Sequence, residues 1–394
     1  MRNVCLLFII VVLAASVAII AGESGPQVPA SSFVLEGSYT AKGEVRSAEV
    51  SADGRSILFW GLHSVTMLDT AGNVMWTYVP PEKIKEGVQT YVRFAYATFG
   101  GAAVLDLKVG DPHSDELWPY ALIGIDRKGK PKWKSLEVGE LSVQSPTGET
   151  ILTTGRDFAH TLLIDAKTGK ALWKKKGICG ETAMFSSDGK RIVISTLAGP
   201  DRTTILDTRG NELWSIPIGL YEKDIAIAKE GRRVVVHNWS CEEHGYEYDL
   251  LLAFDSVGKE MWRKRLCASQ IRIDDLGGRI LIGDASKEGG KVKLLGSSGE
   301  ILWESASELG KWRDNELLYV SPDGKSVAFT VEKDGVSRTY ELDATLKLPK
   351  PMTPQSQREI MMDWRCGKAV WIEDSTVKWF RRQPISPSKE GVKQ

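Results

Sequence analysis

The chain has no excess of charge and few of the residues on which metal and redox sites depend. Lysine plus arginine number 51, aspartate plus glutamate also number 51, and the 394 residues include five cysteines and five histidines. A net charge of zero argues against nucleic acid as the main partner, because phosphate backbones select basic surfaces. No two cysteines are adjacent or form a Cys-x-x-Cys pair, which argues against a zinc cluster or a dithiol redox centre.

Sequence motifs of catalysis are also lacking. There is no Gly-x-Ser-x-Gly elbow, no His-Glu-x-x-His helix and no Walker loop. We therefore assign no catalytic, cofactor-binding or metal-binding residue, and we expect no cofactor. The acidic segment 111–116 leaves calcium open as an alternative, although it lacks the alternating Asp/Asn-Gly loop of dedicated calcium sites.

Only one long apolar run is present, and it lies at the N-terminus. Residues 4–20 carry no charge, which predicts a signal peptide or an N-terminal membrane anchor over residues 1–21. Both alternatives predict an extracytoplasmic protein: secreted, periplasmic or anchored to the outer side of the cytoplasmic membrane. Residues 22–32 form a polar linker rich in proline and glycine, and residues 383–394 are predicted to be a disordered tail.

Between these ends, a glycine turn recurs eight times at intervals of 41 to 47 residues. The clearest copies are Ser-Ala-Asp-Gly at 51–54, Ser-Ser-Asp-Gly at 186–189 and Ser-Pro-Asp-Gly at 321–324, each followed by a β-branched run. A repeat of this length with short strands inside each unit predicts a β-propeller. The turn glycines are predicted to be Gly54, Gly101, Gly148, Gly189, Gly231, Gly278, Gly324 and Gly367.

A second motif, Asp…Gly…Trp, alternates with the first. The aspartate and glycine predict a hairpin turn, and the tryptophan that follows is large enough to pack against the neighbouring blade. Asp165 to Trp173 matches the tryptophan-docking repeat Asp-x-x-Thr-Gly-x-x-x-Trp in full, so the chain resembles the quinoprotein-like (PQQ-type) propeller family, with turns like those of WD40 and TolB repeats. The structural docking tryptophans are predicted to be Trp76, Trp133, Trp173, Trp214, Trp262 and Trp303.

The resemblance implies a fold more firmly than an activity. The family includes quinone-dependent alcohol dehydrogenases and non-enzymatic propellers, such as the lipoprotein of the outer-membrane β-barrel assembly machine. The dehydrogenases hold their quinone under a disulfide between adjacent cysteines, and this chain has no adjacent cysteines. PQQ binding therefore remains an alternative, with no residue of this chain assigned to the cofactor.

The predicted fold is all-β: an eight-bladed propeller of four-stranded antiparallel blades over residues 33–382. Strands a to d run outward from the centre of each blade, and seven blades, the alternative, would leave one glycine turn unexplained. The eighth blade ends after three strands, at 360–364, 369–372 and 376–380. Residues 33–39 are predicted to add the missing outer strand, because closure removes two open sheet edges.

The connections divide between two rims of such a propeller. The a–b and c–d turns form what we name the turn rim, and the b–c and d–a connections form the opposite loop rim. The longest b–c insertions are predicted at 106–118 and 237–248. All five histidines and four tryptophans outside the docking motif map to the loop rim, where aromatic side chains favour binding. The candidate binding face consists of His63, His113, Trp118, His160, His237, Trp239, His244 and Trp312, with Trp60 nearby.

An exported chain permits disulfides. Cys241 and Cys267 map to the same part of the loop rim and are candidates for a bond, with Cys179 as the competing partner and four free thiols as the alternative. Cys366 maps to the turn rim and is predicted to stay unpaired.

These features favour an exported, non-catalytic binding or scaffold propeller that engages a protein or glycan through its loop rim. The N-terminal segment gives it a potential membrane tether. The alternative is a small quinoprotein-like or lyase/hydrolase-type enzyme with its site in the central funnel.

Overall fold

The structure, a computed structural model, describes most of residues 33–382. The described ranges are 33–81, 83–85, 88–110, 118–139, 141–155, 159–178, 180–196, 202–217, 224–238, 250–284, 290–312, 317–343, 350–351, 360–365, 368–373 and 375–382. Within them the chain forms β-strands and three single-turn 3-10 helices, at Phe99–Gly101, Lys229–Gly231 and Ser307–Leu309, and no α-helix. Ser31–Gln394 forms one compact unit.

Eight antiparallel sheets follow one another along the chain, seven with four strands and one with five. The chain begins with β1 (Phe33–Thr40), which joins the last sheet. Blade 1 contains β2 (Ser47–Val50), β3 (Ser56–Trp60), β4 (Val65–Asp69) and β5 (Val74–Tyr78). Blade 2 contains β6 (Lys83–Lys85), β7 (Val88–Ala97), β8 (Ala103–Gly110), β9 (Trp118–Ile125) and β10 (Pro131–Ser135).

The next three blades have four strands each. Blade 3 contains β11 (Ser142–Gln144), β12 (Thr150–Thr154), β13 (His160–Asp165) and β14 (Ala171–Lys176). Blade 4 contains β15 (Gly180–Phe185), β16 (Arg191–Thr196), β17 (Arg202–Asp207) and β18 (Glu212–Ile216). Blade 5 contains β19 (Ile225–Ile227), β20 (Arg233–Asn238), β21 (Leu250–Asp255) and β22 (Glu260–Arg265).

The last three blades complete the ring. Blade 6 contains β23 (Gln270–Ile273), β24 (Ile280–Asp284), β25 (Lys291–Leu295) and β26 (Ile301–Glu304). Blade 7 contains β27 (Leu318–Val320), β28 (Ser326–Lys333), β29 (Val336–Asp343) and β30 (Lys350–Pro351). Blade 8 contains β31 (Ile360–Arg365), β32 (Lys368–Glu373), β33 (Thr376–Arg382) and β1. The eight-bladed, all-β prediction is confirmed.

The a–b turns form because serine, aspartate and glycine satisfy the backbone locally. In blade 1, the amide of Gly54 donates to the carbonyl of Ser51 (2.8 Å), and the Ser51 hydroxyl donates to Asp53 (2.6 Å) and accepts from the amide of Ser56 (3.0 Å). Gly54 has φ +68°, which a side chain rarely adopts. The same bonds recur after Ser186 and Ser321.

The prediction of one turn glycine was wrong by a single position. In blade 6 the glycine with positive φ is Gly277 (+71°), and its amide donates to the carbonyl of Asp274 (3.1 Å). Asp274 replaces the serine and accepts from the amide of Gly278 (2.6 Å). Because Gly277 and Gly278 are adjacent, the sequence pattern alone did not show which of them occupies the turn position. Gly367 lies outside the described residues.

The tryptophans of the outer strands tie each of blades 1 to 5 to the next blade. Trp173 of blade 3 lies on Gly210 of blade 4, and its indole N–H donates to the carbonyl of Thr208 (3.0 Å). A bulky residue at Gly210 would meet this ring, which explains the glycine beyond its φ of +81°. The same indole donation joins Trp133 to Ala166, Trp214 to Ser256 and Trp262 to Ser297. Trp76 also donates to the next blade, but its acceptor is the carbonyl of Gly101 in the a–b turn rather than a carbonyl of the c–d turn.

Trp303 differs because the equivalent segment of blade 7, which begins at Leu342, has no glycine in its sequence. Its ring lies instead 5.4 Å from that of Phe329, measured between centroids. The apolar core as a whole lies between neighbouring sheets. One cluster joins Met67 of blade 1 to Leu105 of blade 2, and another joins Leu281 of blade 6 to Phe329 of blade 7.

The ring closes where β1 pairs with β33. Phe33 lies opposite Arg382, and Thr40 lies opposite Thr376, which confirms the predicted closure by an N-terminal strand. The docking motif predicted no tryptophan for this seam, but the structure contains one. Trp379 of β33 is 1 % exposed, and its ring crosses Gly37 and reaches Gly72 of blade 1.

Blade 2 extends further toward the loop rim than the sequence indicated. Strands β7 and β8 pair as far as Gln89 and Gly110, and the short β6 adds beside the start of β7. The predicted insertion 106–118 is therefore strand up to Gly110 and again from Trp118. The extension covers blade 1, because the amide of Val92 donates to the carbonyl of Leu62 (2.9 Å).

Candidate functional site

The structure divides the predicted site residues into three groups: an exposed residue, buried residues, and residues or side chains that it does not describe. His63 is exposed, and its ring centroid lies 5.3 Å from that of Tyr91. His160, His237 and Trp312 are 5 %, 3 % and 1 % exposed. Trp118 begins β9 without a described side chain, and outside the described residues lie His113, Trp239 and His244.

Burial corrects the prediction that His160, His237 and Trp312 offer contact surface. His237 lies near the end of the b strand of blade 5, where its Nε2 atom accepts a hydrogen bond from the amide of Ala268 (3.4 Å) in the connection to blade 6. In blade 3, the hydroxyl of Thr154 at the end of the b strand accepts from the amide of Leu141 (3.3 Å), in the connection that enters its own blade. Polar side chains at the ends of b strands therefore fix the d–a connections.

Two glycines explain the other buried rings. The imidazole of His160 packs directly on the backbone of Gly155, whose amide donates to the carbonyl of His160 (2.7 Å). The indole of Trp312 packs on Gly283, where an added Cβ would lie 2.5 Å from the ring. Trp60 is also buried, at 7 % exposure. These side chains stabilise the loop rim from inside.

Another exposed group lies on the long inner strand β7 of blade 2, between Tyr91, whose ring lies beside His63, and the a–b turn. The ring of Phe94 is 39 % exposed, and the guanidinium of Arg93 lies 4.9 Å from its centroid. Phe94 also stacks near Tyr96, with 6.3 Å between centroids. Sequence reasoning missed this Arg93–Phe94 pair, although the three aromatic residues within 91–96 were a signal for it.

Tyr96 holds the pair against blade 3. Its hydroxyl donates to the carbonyl of Ser142 (2.5 Å). Burial raises the pKa of Tyr96 well above its usual value, and the nearby carboxylates of Asp106 and Glu49 raise it further. The phenol therefore remains a neutral hydrogen-bond donor, which suits a positioning role.

The other side of the ring carries an ion pair between the innermost strands of blades 5 and 6. Arg272 lies 3.0 Å from Asp224, which also accepts from the amides of Ile271 (2.5 Å) and Ile225 (3.2 Å). Burial raises the pKa of Asp224, while Arg272 and the two amides oppose that rise. Because three donors already surround the carboxylate of Asp224, we interpret this ion pair as a structural contact that joins blade 5 to blade 6.

No cluster of three or more His, Cys, Asp or Glu side chains suited to a metal ion occurs among the described residues. The candidate calcium segment 111–116 lies outside them. In the same part of the chain, no helix is long and apolar enough to cross a membrane. The expectation of no cofactor stays a prediction, as do the PQQ and calcium alternatives.

The cysteine predictions also stay untested. Cys267 is half-buried in the connection from blade 5 to blade 6. Its proposed partner Cys241 and the competitor Cys179 lie outside the described residues, as does Cys366.

No protein-family model matches the chain, and no curated protein matches it. Solved structures do. BamB from Moraxella catarrhalis is 16 % identical with a TM-score of 0.58, and the match covers 89 % of this chain and 97 % of that one. The Dos1 propeller is 10 % identical with a TM-score of 0.63, over 89 % and 96 % of the two chains.

A third similar structure is an enzyme, the dihydro-heme d1 dehydrogenase NirN in complex with DHE. It is 16 % identical with a TM-score of 0.54, and the match covers 85 % of this chain and 76 % of that one. At such identities a structural likeness shows the fold alone. The chain is therefore an eight-bladed β-propeller, similar in fold both to BamB and to a dehydrogenase.

Proposed function

We propose that this chain is an exported, non-catalytic propeller of the quinoprotein-like type that binds a protein partner through its loop rim. The observation that carries the proposal is the Arg93–Phe94 pair. Arginine and aromatic residues are enriched where binding energy concentrates, and the pairing of β7 with β8 holds this pair in place before a partner binds. His63 adds an exposed imidazole on the neighbouring blade.

The quinoprotein-like assignment is supported by the docking geometry. Trp173, Trp214 and Trp262 pack on the glycine of the c–d turn of the next blade and donate to a carbonyl of the same turn. These contacts explain why aspartate, glycine and tryptophan recur together in the repeat. The N-terminal apolar run 4–20 supports export, with the extracytoplasmic side of a membrane as the location.

Site-specific photo-crosslinking in intact cells tests the proposal. A photoreactive amino acid replaces His63 on the loop rim or, as the matched control, Arg55 on the turn rim of the same blade. Both positions are exposed. We expect one discrete protein adduct from position 63 and none from position 55. Adducts of equal yield from both positions, or none from position 63, would contradict a partner at the loop rim.

A second variant separates binding from folding. Phe94→Ala removes an exposed ring, so we expect loss of the adduct at position 63 with little change in melting temperature. An adduct that resists protease but yields to glycosidase would favour the glycan alternative. Turnover of a substrate that Phe94→Ala leaves intact would instead favour an enzyme of the central funnel.

A further inference from the structure

Positive charge is concentrated on the outer hairpins of blades 2 and 3, although the chain as a whole has no net charge. Residues 126–135 and 165–176 form the c–d turns and d strands of these blades, and each contains five lysines or arginines and one carboxylate. The equivalent hairpins of blades 1, 4, 5 and 6 have net charges of −1, −1, +2 and −2, at 69–78, 207–216, 255–265 and 296–304. The excess is therefore a property of two adjacent blades and not of the repeat.

The two hairpins form one continuous surface, because the docking tryptophan of blade 2 packs across the c–d turn of blade 3. The ring of Trp133 lies on Gly169, and its indole N–H donates to the carbonyl of Ala166 (3.0 Å). All the lysines and the arginine of these hairpins are exposed except Lys175, which is half-buried and donates to the carbonyl of Gly210 in blade 4 (2.6 Å). We name the exposed surface of residues 126–137 and 165–176 the basic face.

The carboxylates of the basic face do not balance its charge. Asp126 and Asp165 accept hydrogen bonds from the amides of their own turns, and Asp126 also lies 3.4 Å from Lys132. Glu137 lies 3.4 Å from Lys174. With all three carboxylates counted, the ten cations of residues 126–137 and 165–176 leave a net charge of +7.

Protection of sheet edges does not explain a charge of this size. Charged side chains on an outer strand do discourage pairing with the edge of another sheet. However, β5, β18 and β26 also end their sheets, and the hairpins that contain them have only one to three charged residues each. A surface with this excess of positive charge attracts an anionic partner across a screening length of about 8 Å at physiological ionic strength.

The composition of the basic face favours an anionic lipid surface as that partner. Nine of its ten cations are lysines, which act as mobile point charges, whereas bidentate recognition of phosphate favours arginine. Its two aromatic residues, Trp133 and Trp173, pack on the glycines of the next blades instead of offering a ring for base stacking. Leu136 and Leu172 are 50 % and 54 % exposed among the lysines, and this combination of apolar and basic side chains suits lipid headgroups.

We propose that the basic face is a contact surface for an anionic lipid bilayer, with its lysines among acidic headgroups and with Leu136 and Leu172 at the headgroup boundary. The outer strands form the perimeter of the propeller, so this contact leaves the loop rim open to a protein partner. The inference goes beyond the proposed binding function, and it depends neither on the Arg93–Phe94 pair nor on the N-terminal segment.

Fluorescence on vesicles tests the proposal. In the full-length protein, an environment-sensitive fluorescent amino acid replaces Leu172 or, as the matched control, Leu213, which also precedes a docking tryptophan and is 45 % exposed. The protein is mixed with vesicles of phosphatidylcholine, with or without phosphatidylglycerol. We expect a blue shift at position 172 only with phosphatidylglycerol, lost in about 1 M salt, and no shift at position 213. An equal shift with phosphatidylcholine alone, an equal shift at position 213, or no shift at either position would overturn the proposal.

Charge-removing variants separate the basic face from charge elsewhere on the propeller. Lys174→Gln with Lys176→Gln should raise the lipid concentration for the half-maximal shift at position 172 about thirty-fold, because each lysine at an anionic surface contributes about five-fold. The control, Lys264→Gln with Arg265→Gln, removes the same charge from exposed positions of blade 5 and should weaken binding far less. An equal loss in both pairs would overturn the assignment to blades 2 and 3. Binding of a polyglutamate peptide by a protein that shows no shift on either vesicle would overturn the lipid assignment and indicate an acidic protein partner.

Discussion

Removal of the Trp379 ring is expected to destabilise the propeller more than removal of a partly exposed docking tryptophan such as Trp173. Trp379 is 1 % exposed, fills the seam between blades 8 and 1, and donates its indole N–H to the carbonyl of Thr70 (3.2 Å). A tryptophan buries about 150–250 Å², which at about 25 cal/mol per Å² corresponds to about 4–6 kcal/mol. Large-to-small core substitutions give about 3–5 kcal/mol, so we expect Trp379→Ala to cost about 4 kcal/mol.

The measurement is the melting temperature of residues 33–394, followed by circular dichroism or calorimetry. The propeller of residues 33–382 has 350 residues, which gives an unfolding entropy of about 0.7 kcal/mol/K and a decrease of about 5–6 °C for Trp379→Ala. Trp379→Phe keeps most of the ring and loses the indole donor, so it should cost about 1–2 kcal/mol.

The control is Trp173→Ala, because Trp173 makes the same kind of contact from a partly exposed outer strand. It should lower the melting temperature by clearly less than Trp379→Ala does. An equal or larger decrease for Trp173→Ala would refute the reasoning that burial at the closing seam, rather than the docking motif itself, sets the cost.

Three further predictions concern closure, a turn and pH. Deletion of residues 33–39 removes the outer strand of blade 8 and should lower the free energy of unfolding by several kcal/mol; a denaturant midpoint equal to that of the intact chain would contradict closure by β1. Gly277→Ala should cost about 1–2 kcal/mol, because φ is +71° there, whereas Gly278→Ala should be nearly neutral; equal denaturation midpoints would restore Gly278 as the turn glycine. Hydrogen bonds from Asn73 hold the pKa of Asp69 below its ordinary value of 3.8, so the stabilisation is complete above that value and is lost as pH falls through the lower folded pKa. The melting temperature should therefore fall as the pH decreases below 3.8, and Asp69→Asn should reduce that fall.

The repeat, and with it the number of blades, could be read from the amino-acid sequence without the fold. Serine, aspartate and glycine form their turns from bonds within five residues, as at Ser51–Ser56, so each turn signals its own position. The strand bounds of blade 8 were predicted within two residues, because short apolar runs mark its strands. The closing strand was predictable as well, since an eighth blade with three strands leaves an edge that residues 33–39 can fill.

Exposure at the loop rim, in contrast, could not be predicted before the blades were assembled. His237 and Trp312 occur in polar segments, yet both are buried, because His237 accepts a hydrogen bond from the connection to the next blade and Trp312 covers Gly283. Phe94 has the sequence context of a strand residue and yet is 39 % exposed, whereas Ala95 beside it is buried. Trp379 likewise docks across 309 residues of sequence. Local turns depend on neighbouring residues and can be predicted from them, whereas burial depends on contacts between blades that are distant in the chain.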